Sequence, residues 1–100
     1  MNTAPNAAVS HVTVRLSTPL RKFAGGQPQV QLAAATVAQA LAQLDVQYPE
    51  LRGRVLGADG ALREFIQVHV GKTPLRQFGG MQAALSGGEL ISLSSPFSGG

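Results

Sequence analysis

Hydrophobic and polar positions alternate with a period of two in several short stretches of the chain, and with a helical period in one. Residues 11–16 set Val12, Val14 and Leu16 on one side and His11, Thr13 and Arg15 on the other. That is the pattern of a half-buried strand. Thr18-Pro19 ends it, and residues 20–28 form a connection that carries Arg21, Lys22 and Gly25-Gly26. A second alternating run at 29–33 turns Val30 and Leu32 inward. Two neighbouring strands with a connection of this length read as a hairpin.

The period then changes. Thr36-Val37-Ala38-Gln39 has the form of a capping box, in which the threonine oxygen accepts from the amide three residues on and the glutamine reaches back. Val37, Leu41, Leu44 and Tyr48 follow at helical spacing, with Asp45 and the glutamines expected to face outward. Pro49 ends this helix or opens a short one through Leu51, Val55 and Leu56. Gly57-Ala58-Asp59-Gly60 is a turn.

Residues 62–70 return to strand, with Ile66, Val68 and Val70 on one face and Gln67 and His69 on the other. Gly71-Lys72-Thr73-Pro74 turns the chain, and Leu75-Arg76 is expected to pair briefly. A short apolar helical turn is expected around Met81, Ala84 and Leu85. Gly87-Gly88 then releases the chain into a last strand at 89–94, with Ile91 and Leu93 inward. The order is strand, strand, helix, short helix, strand, short strand, helical turn, strand. One main helix packed across one face of a mixed sheet is an α+β arrangement.

Composition changes the picture little. One hundred residues, 44% hydrophobic and 13% charged, favour one folded domain over a disordered chain. No apolar run approaches a membrane span, and residues 1–10 lack the basic start and apolar centre of a signal peptide. Residues 1–9 read as a flexible lead-in, 10–95 as the domain and 96–100 as a protruding tail. The absence of cysteine excludes a disulfide framework and fits a cytoplasmic protein. A net charge of +3 raises the question of nucleic acid, but the basic residues are scattered and aromatics to stack on bases are few. A solvated surface is the better account, and neither nucleic acid nor membrane is expected as a partner.

Catalytic chemistry finds little to work with. His11 and His69, with no cysteine and separated carboxylates, give no metal-ligand spacing. No serine sits in a nucleophile elbow, and no glycine run has the spacing of a nucleotide loop. Arg21 and Lys22 beside Gly25-Gly26 could hold an anion, though a solvated loop explains them as well. The ending, Pro96-Phe97-Ser98-Gly99-Gly100, stands apart. Without side chains at its last two Cα atoms, such a tail can enter a channel too narrow for any other residue.

With this order of elements and a Gly-Gly ending after the final strand, the chain resembles the ubiquitin-like β-grasp sulfur carriers of the MoaD/ThiS family. The tail is similar to that family's proline, apolar residue, small residue, Gly, Gly. Within the family, three stretches resemble the CysO-type carrier of cysteine biosynthesis: Leu62-Arg63-Glu64-Phe65-Ile66, Arg76-Gln77-Phe78-Gly79-Gly80-Met81 and Ser86-Gly87-Gly88-Glu89. The segment 51–59 is also longer than in the thiamine-pathway carrier.

The resemblance implies a β-grasp sheet with its first and last strands parallel at the centre. It implies a carrier rather than an enzyme, with no bound cofactor. ATP would be used by a ubiquitin-activating-like adenylyltransferase/sulfurtransferase, which adenylates Gly100 and exchanges AMP for sulfur to leave a thiocarboxylate. The acceptor would be a biosynthetic enzyme of the cysteine synthase type or the large subunit of molybdopterin synthase. Gly99, Ser98, Phe97 and Pro96 would thread the partner's active site. Phe78 and Phe97 would anchor the docking, with Arg76 on the rim, on the sheet face away from the helix. The alternatives are a small subunit of molybdopterin synthase, a carrier for another sulfur-containing metabolite, a ubiquitin-like modifier joined to lysines, and an interaction module with an inert tail.

Overall fold

The computed structural model describes residues 10–57 and 59–95. The expectations for residues 1–9 and 96–100 lie outside the described residues.

Five strands form one mixed sheet, β1 (Ser10–Leu16), β2 (Gln29–Ala34), β3 (Gln67–Val70), β4 (Thr73–Pro74) and β5 (Leu90–Ser94), in the order β2-β1-β5-β3-β4. β1 and β5 run parallel at the centre, in register from Thr13↔Leu90 to Leu16↔Leu93. β2 and β3 flank them antiparallel. This is the arrangement the family resemblance implies.

Period-two alternation settles which side of the sheet is covered. Val12, Val14, Leu16, Val30, Leu32, Val68, Val70, Ile91 and Leu93 are all buried, as the sequence predicts, in one core with the main helix, α2 (Val37–Gln47). Val37, Ala40, Leu41 and Leu44 form the buried stripe of that helix. Its start follows the capping signal: the Thr36 hydroxyl accepts from the Gln39 amide at 3.2 Å. Gln39 reaches back one residue further than a strict capping box, its Oε1 accepting from the Ala35 amide at 2.9 Å. Asp45 departs from the outward position expected for it. It is half-buried, and its Oδ1 is enclosed without a hydrogen-bond partner among the described residues. Burial pushes its carboxyl pKa up, with Arg52 acting in the opposite direction.

The connections differ most from expectation. Residues 20–28 are not a plain loop. Thr18–Arg21 forms a helical turn, α1, with Pro19 in its first turn, where a missing N–H costs nothing. A 3₁₀ turn follows at Lys22–Ala24 and ends at Gly25 in the left-handed region, φ 68°. Leu20 and Ala24 are buried, so this connection closes one end of the core. Gln27 Nε2 donates to the Tyr48 hydroxyl at 2.8 Å, tying it to the end of α2.

β3 is shorter than the alternation at 62–70 predicts. Its pairing with β5 begins at Gln67↔Ser94, where β5 itself ends, so the residues before Gln67 have no strand to bond. They turn away: Leu62 bridges to Leu56, and the Ile66 amide donates to the Arg63 carbonyl. Beyond β3, the brief pairing expected at Leu75-Arg76 falls instead on Thr73–Pro74, and Leu75–Phe78 forms the short helix α3.

The helical turn expected around 81–85 is therefore displaced, and α2 supplies the reason. The first amides of a helix have no partner within it. Here the Val37 amide donates to the Ala83 carbonyl and the Ala38 amide to the Met81 carbonyl, at 3.2 and 2.8 Å. Ala84 bridges Thr36, and the Leu85 amide donates to the Ala35 carbonyl. Carbonyls turned toward α2 cannot serve a helix of their own.

The turn before β5 is held by Glu89, whose carboxylate accepts from the Ser86 and Gly87 amides, both at 2.7 Å. Partial desolvation pushes this carboxyl up, but the amide donors of Ser86, Gly87 and Glu89 together outweigh it and hold the pKa below the usual glutamate value. A depressed folded pKa contributes stability above the unfolded pKa, and this is lost as pH falls through the folded one. Glu89→Gln should therefore melt earlier at neutral pH, and the difference should close as the solution is taken below the glutamate range. Thermal melts across pH check this; a pH-independent gap would show that the charge does not hold the turn.

Candidate functional site

β5 is the central strand, so the chain leaves the sheet from its middle rather than from an edge. Because β5 runs parallel to β1, it exits beside the end of β1, where the Ser17 amide donates to the Leu93 carbonyl at 3.0 Å. Ser95 is the last described residue there. The proposed threading residues Pro96, Phe97, Ser98 and Gly99, and the proposed reacting residue Gly100, lie outside the described residues.

Ser95 opens onto a cleft of about 490 Å³. Lys22 and Phe23, from the turn after α1, form one wall, and Arg54, Arg63 and Phe65 approach from the irregular segments between α2 and β3. The Arg54 guanidinium lies 3.7 Å from the centroid of the Phe23 ring, with Lys22 Nζ 5.2 Å from the same ring. Arg63 sits 5.2 Å from the Phe65 ring centroid. Arg54 Nε also donates to the Glu50 carbonyl at 3.1 Å, which fixes the direction of the guanidinium. Among the described residues, the lining of this cleft includes three cations and no carboxylate.

The residues expected to dock a partner are placed differently. Phe78 does not project from the sheet face away from α2; it is half-buried and packs against the core. That open face carries mostly polar strand residues, among them His11, Arg15, Gln29, Gln31 and Gln67. It is a poor match for the apolar centre of an interface. Leu75, Phe78 and Met81, around α3, are partly buried and pack against the edge of the core. Arg76 is exposed, as a rim residue should be, and borders a groove with Leu62, Leu75 and Met81 beside β4.

The sequence marks Lys22, beside Arg21 and Gly25-Gly26, but not the cleft. Its partners Arg54 and Arg63 lie far along the chain, and nothing local in sequence signals their convergence. Among the described residues no group of His, Asp and Glu could hold a metal ion. No helix there is long and apolar enough to cross a membrane.

Comparison with known proteins covers the whole domain. The model of the ThiS family matches residues 14–100. The sulfur carrier protein CysO of Mycobacterium tuberculosis is 27% identical over 92 residues, spanning 90% of this chain and 99% of that protein. Among solved structures, small archaeal modifier protein 1 of Methanosarcina acetivorans superposes with a TM-score of 0.80 at 26% identity, covering 92% of this chain and 98% of its own. A chain of the Amycolatopsis orientalis BexX/CysO complex matches with a TM-score of 0.78 at 28% identity, covering 89% of this chain and 99% of that one.

Proposed function

This chain belongs to the ThiS family, with the ubiquitin-like β-grasp fold and a sulfur carrier of the CysO type among its relatives, and on that premise we propose that it carries sulfur as a C-terminal thiocarboxylate for the biosynthesis of cysteine. The observation that supports this best is the match to the family through residue 100, on a fold whose central strand delivers the chain to that end.

The chemistry follows from what a carboxylate lacks. It is a poor electrophile, so the Gly100 carboxylate first attacks the α-phosphorus of ATP within the activating enzyme, releasing pyrophosphate and forming an acyl adenylate. A sulfur nucleophile then adds to the carbonyl and expels AMP, leaving sulfur on the terminal carbonyl carbon. The thiocarboxylate is anionic at neutral pH, and its sulfur is the nucleophile passed to the acceptor. The carrier supplies docking and reach, while ATP and the catalytic groups belong to partner enzymes acting in the cytoplasm. Similarity to a chain of the BexX/CysO complex supports a protein partner for the domain.

The likeness to a small archaeal modifier protein favours a second reading, in which the same activated glycine forms an isopeptide bond with lysines. Intact mass spectrometry of the protein purified from its own cells separates the two. Replacement of one terminal oxygen by sulfur is the expected result. A ladder of protein conjugates, with no thiocarboxylate, would favour the modifier.

A further inference from the structure

We infer that the cleft at the root of the tail, formed by Lys22, Phe23, Arg54, Arg63 and Phe65, binds an acidic segment of the protein that takes up the tail. The inference rests on the carrier reading for the identity of that protein, but the cleft itself is read from the geometry.

Its position comes first. Ser95 lines the cleft, so a protein that takes up the residues joined to Ser95 comes close to it. The groove bordered by Arg76 lies beside β4, at the far edge of the sheet from β2, and does not include Ser95.

Charge comes second. Three cations converge on one cleft with no acidic side chain in its lining, and no ion pair neutralises Lys22, Arg54 or Arg63 among the described residues. Stacking on Phe23 and the bond from Nε to the Glu50 carbonyl hold Arg54 in place, leaving its terminal nitrogens to meet a carboxylate in the paired geometry that guanidinium favours. A guanidinium already ordered loses little freedom on binding.

The occupant comes third. The Phe23 ring is covered by Arg54 and Lys22, which leaves little of it for a nucleobase to stack on. The five remaining cations do not continue the cluster as a track for a phosphate backbone: Arg21 donates its Nε to the Leu16 carbonyl, Arg52 faces Asp45 outside the cleft, Arg15 lies on the open sheet face, Lys72 in the β3–β4 turn and Arg76 on α3. A few carboxylates on a protein lip fit the cleft better than a polynucleotide.

The test uses the full chain. A peptide of alternating glutamate and aspartate, its glutamine–asparagine counterpart and a single-stranded oligothymidylate are titrated separately into isotope-labelled protein and followed by amide NMR. Salt is kept near roughly 20 mM, where screening is weak. The acidic peptide should move the signals of Lys22, Phe23, Arg54, Arg63 and Ser95 and leave those of Thr13 and Gln31 in place. The amide counterpart should move none, and a Lys22→Glu, Arg63→Glu double variant should lose the response while melting as the parent does. No response of the cleft to the acidic peptide, or an equal response to oligothymidylate, overturns the inference.

With a purified adenylating partner, the double variant should raise KM for the carrier about tenfold and change kcat by less than about twofold, because the cleft acts in docking and not at the reacting atoms. An unchanged KM also overturns the inference. Failure of the partner to adenylate the parent protein would count against the carrier reading instead, and the peptide titration then decides the cleft by itself.

Discussion

Leu41→Ala should lower the unfolding free energy by about 2–5 kcal/mol, enough to bring the melting temperature down by roughly 10 °C or more in a domain of this size. Leu41 is 0% exposed and sits mid-way along α2, flanked by the equally enclosed Val37, Ala40 and Leu44. Beneath it lie the inward residues of the central strands, Val14, Ile91 and Leu93, so the face cannot collapse to fill the space without disturbing β1 and β5. Truncation removes the transfer free energy of three carbons and leaves a cavity, and the two effects add. Val46 provides the contrast on the same helix. It is 68% exposed, so Val46→Ala should change stability by less than about 0.5 kcal/mol, with alanine's better helix propensity offsetting any lost contact. Chemical denaturation of both variants checks the pair. Equal stabilities for Leu41→Ala and the parent would mean that α2 does not cover the sheet.

That contrast also shows what the sequence made legible. Alternation at Val12/Val14/Leu16 and at Ile91/Leu93 identifies strands because one sheet face is buried and the other is not, and the covering helix enforces the difference at every second residue. Thr36 and Gln39 mark the start of α2 because capping is satisfied within a few residues of chain. Where an element depends on a distant partner, the local pattern misleads. Residues 62–66 continue the alternation of β3 yet stay outside the sheet, because β5 stops at Ser94 and offers them nothing to bond. Residues 81–85 have helical spacing, but their carbonyls serve the amides of Val37 and Ala38. The cleft at Ser95 is the extreme case, assembled from Lys22, Arg54 and Arg63, whose proximity exists only after folding. The family resemblance places Phe78 on the sheet face away from the helix, whereas the side chain is half-buried against the core.

Appending one alanine after Gly100, replacing Gly99 by leucine, or deleting Gly100 should each abolish ATP-dependent activation and leave the melting temperature unchanged. The stability half of this expectation follows from the architecture. The core closes with Ile91 and Leu93 on β5, and among the described residues the buried ones that hold the sheet all precede Ser94. The activity half follows from dimensions. An added residue displaces the carboxylate by about 3.5 Å, more than a bond length beyond the phosphorus it must reach. Misplacement on that scale can cost about a hundredfold or more in rate. A Cβ and larger groups at position 99 fill space that two glycines leave open for an enclosing channel. In the proposed mechanism Pro96 would act at the other end of the tail, since a proline ring restricts the backbone before binding and would lower the entropy lost on threading. Pro96→Gly should therefore weaken activation through KM and spare kcat, unlike the three terminal changes. Phe97→Ala should also raise KM if that ring is an anchor. The measurement is ATP–pyrophosphate exchange with the activating enzyme, followed by mass spectrometry for the thiocarboxylate. Activation of the alanine-extended protein at the parent's rate, with the extension still in place by mass, would remove Gly100 as the reacting residue and leave an interaction domain with an inert tail.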